Sequence, residues 1–330
     1  MGIKSLKKII KQHAPDAINC NFSLYNKKLA IDSSILLYKF RYTYTQDNFH
    51  IQGFLYKVIE FLEKGVVPVF VFDGPPPQAK RNTLDKRTEM RTKMQERVNE
   101  LNNLKNEIGE TNGIDAEEYI DSDDEIENPF VKEIKKINNQ IRNISKNILV
   151  IKKVHSDEVM EFLKSLGIPF LKAVSESEET CAVLQKKGLV DYVLTEDTDS
   201  LTFGAKQVIL GNQLYDLDQV LTSLEISYDS FIDLCILCGC DYTGTIPKIG
   251  PVNALRLIKR YGSIDNFEIP IPEDFEYTLA RTLFRQNENY QIETNFAITG
   301  MDLPKVERLF ERYSLNNFFL EKLKILLNIK

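Results

Sequence analysis

The sequence predicts an α/β fold with a mostly parallel central sheet flanked by helices. Short runs rich in Val, Ile, Leu and Phe occur at residues 28–31, 67–72, 168–174 and 192–195. Segments with helical periodicity separate these runs, which is typical of a parallel sheet with helical crossovers. Each run also leads into an acidic residue. In such sheets ligands bind beyond the carboxyl ends of the strands, so these acids are expected to share one edge.

The acids at the strand ends predict a site for divalent cations. The first two runs lead into Asp32 and Asp73, and the other two lead into close carboxylate pairs. The pairs are Glu176 with Glu178 and Asp197 with Asp199. Like charges in one place repel each other, so a fold that gathers them usually supplies a cation. Carboxylate oxygens suit Mg²⁺ or Mn²⁺.

Each carboxylate pair also has a purely structural interpretation. Ser175 followed three residues later by Glu178 matches a capping box, and taken alone Glu178 fits that role better than metal binding. Asp197 and Asp199 lie in a Thr, Glu, Asp and Ser cluster that is typical of a solvated turn. Four apolar runs that deliver acids to the same edge favour the metal site, because solubility does not require that arrangement.

Composition and charge limit the classes of protein to which this chain can belong. The 330 residues allow one large or two smaller domains, and no signal peptide or membrane-spanning run is predicted. Cys235, Cys238 and Cys240 lie in an apolar run without a nearby histidine, so we interpret them as core thiols rather than as a zinc site.

The net charge is −6, but residues 115–127 alone carry eight acids and no Lys or Arg. The rest of the chain is therefore net positive, which is compatible with a nucleic-acid partner.

Six segments stand out along the chain: MGIKSLKKII, LAIDSS, VFVFDGPPPQAKR, VSESEET, TEDTDSLTFG and LCGCDY. In this order they resemble the flap endonuclease branch of the structure-specific 5′ nucleases, the xeroderma pigmentosum G and Rad2-like family. The resemblance extends from residue 1 to about residue 262, and six motifs in the family order are highly specific. It implies a PIN-like sheet, a helical arch insertion and a helix-two-turn-helix region near the C-terminus.

The resemblance implies a metal-dependent hydrolase that cleaves DNA phosphodiesters. Seven carboxylates cannot all bind one ion directly, so two Mg²⁺ ions roughly 3.5–4 Å apart are expected, with Mn²⁺ able to replace them. The expected metal and catalytic carboxylates are Asp32, Asp73, Glu176, Glu178, Asp197, Asp199 and Asp241.

The same resemblance implies residues that contact DNA. Lys80 and Arg87 match basic positions of the family motif and would neutralise the cleaved phosphate. They lie seven residues apart on an expected helix, so both point the same way, although a solvated basic face is the alternative. Tyr38 would stack on a base, or else pack against the helix core. Gly2 would lie near DNA once Met1 is removed.

The resemblance also implies the domain organisation. We expect a nuclease core over residues 1–225 and a duplex-binding region with C-terminal helices over residues 226–330. The arch insertion would cover residues 76–152, with the acidic residues 115–127 as a flexible, passive loop at its tip.

In the duplex-binding region, Gly250 and Pro251 are expected to begin a helix whose first amides favour a phosphate. Relatives often bind K⁺ in this region, with a Gly-x-Gly-Pro motif. Lys248 stands here at the first glycine, which weakens the case for a K⁺ site.

The expected function is a 5′ flap endonuclease, with 5′-3′ exonuclease activity, acting in DNA replication and repair. The alternatives are a 5′ exonuclease, a junction resolvase, a catalytically inactive scaffold that binds branched DNA, and a phosphatase. The phosphatase would use Asp197 and Asp199 as an aspartyl-nucleophile motif, but it needs a second Asp after Asp32, where the chain has Ser33 and Ser34.

DNA with a 5′ flap, nick or branch is the expected partner, and the protein is expected to be an intracellular monomer at sites of replication, without a membrane partner. A sliding-clamp motif is only weakly supported, because Arg312 stands where Gln is expected. The apolar spacing of residues 309–327 favours ordinary helical packing instead.

Overall fold

The computed structural model describes residues 2–44, 46–114, 128–148, 150–285 and 296–328. The chain forms two compact units, one made of Met1–Arg81 with Lys152–Lys330 and the other of Asn82–Ile151. Met1 and the acidic segment 115–127 lie outside the described residues, so the expectations about them stay predictions. The division of the chain at residues 225 and 226 also stays a prediction.

The larger unit contains a seven-stranded sheet, which confirms the predicted α/β class. The spatial order is β1-β7-β6-β5-β2-β3-β4, in which the five strands from β6 to β4 are parallel and the other two pair antiparallel. The strands are β1 (Ile18–Asn19), β2 (Lys28–Asp32), β3 (Val67–Phe72), β4 (Phe170–Lys172), β5 (Tyr192–Thr195), β6 (Gln207–Leu210) and β7 (Gln213–Asp216).

Helices precede, connect and follow the strands. The predicted helices near the N-terminus, after Asp32 and on both sides of Asp241 all form. In chain order, the helices of the described residues are α1 (Leu6–His13), α2 (Ser33–Thr43), α3 (Phe49–Glu63), α4 (Arg81–Asn112), α5 (Pro129–Ile148), α6 (Lys153–Leu166), α7 (Ser177–Lys186), α8 (Asp199–Thr202), α9 (Leu217–Leu224), α10 (Tyr228–Cys238), α11 (Pro251–Tyr261), α12 (Tyr277–Arg285), α13 (Leu303–Arg312) and α14 (Asn317–Leu326).

The central strands explain why the acids reach one edge. Leu29, Ala30 and Ile31 of β2 are fully buried, because helices cover both faces of a parallel sheet and the strand must be apolar on both sides. In the register of β2 with β3, Asp32 lies beside Val71. Asp32 and the residue that follows β3, Asp73, therefore lie at the same end of the sheet.

The fourth predicted run is shorter than expected, since only Phe170–Lys172 of residues 168–174 form strand β4. Gly167 ends the preceding helix α6 with a φ of +69°. A side chain at this position would collide with the backbone of Thr299, so glycine meets both the conformational and the steric requirement.

The smaller unit contains most of α4 and all of α5. Buried Val98 and Leu101 lie three residues apart on α4, and buried Val131, Ile134 and Ile137 repeat at the same spacing on α5. Each of these highly charged helices therefore has one apolar buried face.

The last two helices, α13 and α14, pack within the larger unit. Leu309, Leu320 and Leu323 are buried, as the apolar spacing predicts, and Phe319 lies against Tyr56 with ring centroids 4.9 Å apart. In the described part of the chain no helix combines the length and apolar character that crossing a bilayer requires.

Candidate metal and DNA site

Asp32 ends β2 and contacts both helix α2 and the end of strand β5. It caps α2 by accepting hydrogen bonds from the backbone N–H groups of Ser34 and Ile35, at 3.1 and 3.4 Å. Its other carboxylate oxygen accepts a 2.9 Å hydrogen bond from Thr195 at the end of β5. The cap and this strand-to-strand bond hold the Asp32 carboxylate in one orientation.

Ser177 connects three of the predicted carboxylates. Its hydroxyl lies 3.0 Å from Asp32 Oδ1, 2.7 Å from Asp73 Oδ1 and 3.3 Å from Glu178 Oε2. Its backbone N–H also donates to Asp73 Oδ1 at 2.9 Å. Ser177 was not predicted from the sequence as a site residue, although its place between Glu176 and Glu178 was an available signal.

The structural alternatives for the two pairs are wrong. Helix α7 begins at Ser177 with Glu176 as its N-cap residue and without a side-chain cap bond, so Ser175 and Glu178 form no capping box. Asp197 and Asp199 do not lie in a solvated turn, because they are only 7% and 5% exposed. The backbone N–H of Asp199 donates to Asp197 Oδ1 at 3.0 Å, which keeps the two side chains together.

Glu176 is bound by a different donor on each carboxylate oxygen. Lys80 donates to Oε1, and the hydroxyl of Tyr242 donates to Oε2. Lys80 also lies 3.3 Å from Asp241 Oδ2, so one ammonium bridges two of the predicted carboxylates. Tyr242 was missed in the sequence, although it directly follows Asp241.

The placement of Lys80 corrects one prediction. Lys80 ends a 3₁₀ turn, Gln78–Lys80, and the α-helix begins only at Arg81. Lys80 and Arg87 therefore do not lie on one face of a single α-helix as predicted, because a 3₁₀ turn has three rather than 3.6 residues per turn. Arg87 lies on α4, within the smaller unit.

Burial makes the ionised form of several carboxylates in the site unfavourable. Burial, and then the neighbouring Asp73, raise the pKa of Asp32 to about 7. Burial raises the pKa of Glu178 well above its usual range, and the charges of Asp32 and Asp73 add to this effect. The pKa of Asp199 is raised in the same way by burial and then by Asp197. Ionised groups with such shifts require a compensating cation.

The site fits a hard divalent cation by its chemistry. All of its candidate ligands are carboxylate oxygens, which Mg²⁺ and Mn²⁺ prefer. Asp199 Oδ1 is buried and has no hydrogen-bond partner among the described residues. Within the same residues no three of the side chains already form a ready-made set of metal ligands; Lys80 and Ser177 bridge the carboxylates instead.

Gly2 and Tyr38 lie in the larger unit. A side chain on Gly2, whose φ is +84°, would collide with the carboxylate of Asp197, so only glycine fits this position beside the site. Tyr38 lies on α2 and is 45% exposed, so the alternative that it packs in the core is wrong.

The helix pair near the C-terminus has the predicted start. Gly250 is the N-cap residue of α11 and Pro251 occupies its first turn. Cys235 and Cys238 are buried on α10, as expected for core thiols, and burial raises the pKa of Cys238 to about 12.

Comparisons with known proteins identify relatives of this chain. The XPG N-terminal domain model matches residues 1–94, and the XPG I-region model matches residues 167–241. Flap endonuclease 1 of Danio rerio is 35% identical over 318 residues, which cover 87% of this chain and 76% of the relative.

Solved structures share the fold. The catalytic core of Rad2 in complex with DNA substrate aligns with a TM-score of 0.71 at 23% identity, over 99% of this chain and 100% of that one. The flap endonuclease-1 of Methanococcus jannaschii aligns with a TM-score of 0.66 at 23% identity, over 94% and 96%. The Holliday junction-resolving enzyme GEN1, in complex with product DNA and Mg²⁺, aligns with a TM-score of 0.53 at 15% identity, over 97% and 72%.

The two family models cover the segments that carry all seven carboxylates and Lys80, and the curated relative extends the match over most of the chain. The chain therefore belongs to the XPG family of structure-specific, metal-dependent nucleases.

Proposed function

We propose that this chain is a 5′ flap endonuclease that hydrolyses DNA phosphodiesters at branched structures with a free 5′ end. The single observation that carries the proposal is the cluster of buried carboxylates with Lys80 at one edge of the parallel sheet. The 35% identity to a flap endonuclease over most of both chains supports the choice of a flap substrate. The proposed cellular setting is DNA replication and repair inside the cell.

The proposed metal ligands form three groups according to the residues that they contact. Asp32, Asp73 and Glu178 surround Ser177, while Glu176 and Asp241 surround Lys80. Asp197 and Asp199 stand together beside them, joined through the backbone of Asp199. Two bound Mg²⁺ ions, or Mn²⁺ in their place, would supply an activated water and offset charge on the phosphate.

The chain's own residues would position the DNA. Lys80 is held among carboxylates, and turning its ammonium toward a phosphate would offset the charge that develops on that group during cleavage. We assign Arg87 on α4 to the same phosphate. The exposed ring of Tyr38 offers a stacking surface for a base near the cleaved bond, and Gly2 leaves room beside Asp197 for DNA to approach.

The remaining proposals concern the organisation of the chain. Residues 226–330 would bind duplex DNA without reading its sequence, with the first amides of α11 after Gly250 facing a phosphate. Residues 1–225 would be the nuclease core, and residues 76–152 would form an arch that receives the 5′ end. We expect a monomer.

The test compares three DNA substrates of the same sequence: a 5′ flap, a nicked duplex and a four-way junction. We expect Mg²⁺-dependent cleavage of the flap near its branch point, at a rate at least about tenfold above the other two, and no cleavage with EDTA. A nucleotide monophosphate serves as the control for a phosphatase. Binding without cleavage would identify an inactive scaffold, and release of inorganic phosphate would identify a phosphatase; either result would reject the proposal.

A junction resolvase or a 5′ exonuclease is the second candidate. The fold is shared with a Holliday junction-resolving enzyme, at a TM-score of 0.53. Symmetric cleavage of the four-way junction, or release of single nucleotides from the nicked duplex ahead of flap cleavage, would select this candidate.

A further inference from the structure

We propose that Tyr242 is a positioning residue that holds the Glu176 carboxylate ready for a divalent cation. It also connects that carboxylate to the helices after residue 226. The inference rests on the proposed function, because it takes Glu176 as part of the metal site. Its basis is a single buried hydrogen bond and the packing around the tyrosine ring.

The two donors to Glu176 are not equivalent. Lys80 binds Oε1 and has a second carboxylate, Asp241, at 3.3 Å, and its flexible chain allows the ammonium to turn toward a phosphate. Tyr242 binds Oε2 through a rigid ring and lies only 2% exposed. When Lys80 turns away, Tyr242 is the donor that still fixes the rotamer of Glu176. Hydrogen-bond partners that orient a ligand in this way typically matter nearly as much as the ligand itself.

The ring of Tyr242 is itself immobilised by two phenylalanines. Its centroid lies 5.0 Å from that of Phe284 and 6.5 Å from that of Phe203, in edge-to-face contacts. Phe203 and Phe284 also contact each other, at 5.0 Å. Phe203 directly follows α8, whose first residue is Asp199. The three rings therefore support both Glu176 and the helix that carries Asp199.

The same cluster extends to the proposed duplex-binding region. Phe284 lies on α12, where Arg281 forms two 2.8 Å hydrogen bonds with the buried carboxylate of Asp233 on α10. A continuous set of packed side chains thus runs from α10 through α12 to Tyr242 and Glu176.

The test replaces Tyr242 with Phe, which removes the hydroxyl and keeps the ring. The matched control is Tyr215→Phe, because Tyr215 is also buried and its hydroxyl donates a 3.3 Å hydrogen bond inside the larger unit, but to Gln213 Oε1 on β7. Two quantities are measured for each protein: the Mg²⁺ concentration that gives half-maximal cleavage, and the rise in melting temperature that Mg²⁺ produces without DNA.

We expect Tyr242→Phe to raise the half-maximal Mg²⁺ concentration by about 10–100-fold, the usual range for loss of such a partner, with cleavage restored at high Mg²⁺. The Mg²⁺-induced rise in melting temperature should move to higher Mg²⁺ in parallel. Tyr215→Phe should change neither quantity by more than about twofold, although both variants lose some stability in EDTA.

Glu176→Gln separates the inference from the proposed function. If Glu176→Gln abolishes the response to Mg²⁺ while Tyr242→Phe leaves it unchanged, the role of Tyr242 is rejected and the proposed metal site stands. If Tyr242→Phe slows cleavage equally at all Mg²⁺ concentrations, the tyrosine only supports the fold and the inference is also rejected. If Glu176→Gln changes neither cleavage nor the response to Mg²⁺, the proposed site itself is wrong.

Discussion

The ammonium of Lys80 lies 3.3 Å from a carboxylate oxygen of Asp241, although one residue precedes α4 and the other follows α10. The same ammonium is hydrogen-bonded to Glu176. Burial opposes the charge on Lys80, but the nearby Glu176 outweighs this effect, so the pKa of Lys80 is raised. Lys80 therefore stays protonated and supplies a positive charge inside the proposed metal site.

Replacing Lys80 with Met should slow flap cleavage at saturating Mg²⁺ by about 10²–10³-fold, since it removes a charge that would stabilise the transition state. Single-turnover kinetics measures the effect. Lys206→Met is the matched control, because Lys206 and its partner Asp218 are 62% and 64% exposed and lie outside the site. A loss below tenfold for Lys80→Met would show that the ammonium only balances the carboxylates.

Asp199→Asn should have opposite effects on stability and activity. Burial, and then Asp197 and Asp241, raise the pKa of Asp199, so its charge is unfavourable without a cation. The neutral amide should raise the melting temperature in EDTA, by about 2–4 °C for each kcal/mol of repulsion removed. Cleavage should fall by about three orders of magnitude. Asp218→Asn, at an exposed position, provides the control. A lower melting temperature in EDTA would contradict this electrostatic interpretation.

Arg87→Ala tests the proposed phosphate contact of α4. We expect flap cleavage to fall by at least about tenfold, because the proposal has Arg87 bind the phosphate in the transition state. Arg97→Ala is the control on the same helix, where Arg97 pairs with Glu100 at 2.7 Å and both are exposed. Equal effects of the two variants would mean that α4 contributes only general positive charge.

His50 predicts an acid limit to stability. Burial lowers the pKa of His50, although its 2.7 Å hydrogen bond to Glu158 opposes the shift. The unfolded state then binds more protons than the native state, so the free energy of unfolding should decrease as the pH falls through the unfolded value near 6.5. Denaturant unfolding between pH 5 and 8 should show a smaller decrease for His50→Gln than for the wild type. His13→Gln, at an exposed position, is the control.

Arg281→Met should destabilise the larger unit by about 3–5 kcal/mol, because it leaves the buried carboxylate of Asp233 without its ion-pair partner. Arg281 is 14% exposed and binds Asp233 and Asp265 at 2.8 Å each. Lys206→Met breaks an exposed ion pair and should cost no more than about 1 kcal/mol. Denaturant unfolding measures both, and a similar small loss for the two variants would contradict the assignment.

Three of the four predicted strands match the structure closely. Asp32 is the last residue of the first of these strands, and Asp73 and Asp197 come just after the other two. Strands buried on both faces need unbroken apolar runs, and a parallel sheet places their carboxyl ends on one side. The sequence was less informative where one short pattern fits two different structures. The spacing of Ser175 and Glu178 satisfied a capping rule, but α7 begins at Ser177, with Glu176 rather than Ser175 as its N-cap residue.

The sequence by itself determined the fold class, the family and the acids at the sheet edge, because these depend on local periodicity and on motifs in a set order. Only the tertiary structure decided that Ser177 joins Asp32 to Asp73. It also decided that Lys80 and Tyr242 each donate a hydrogen bond to a different oxygen of Glu176. Such contacts join residues far apart in the chain, and no local pattern specifies which hydroxyl or ammonium reaches which carboxylate. Packing of whole elements determines those partners.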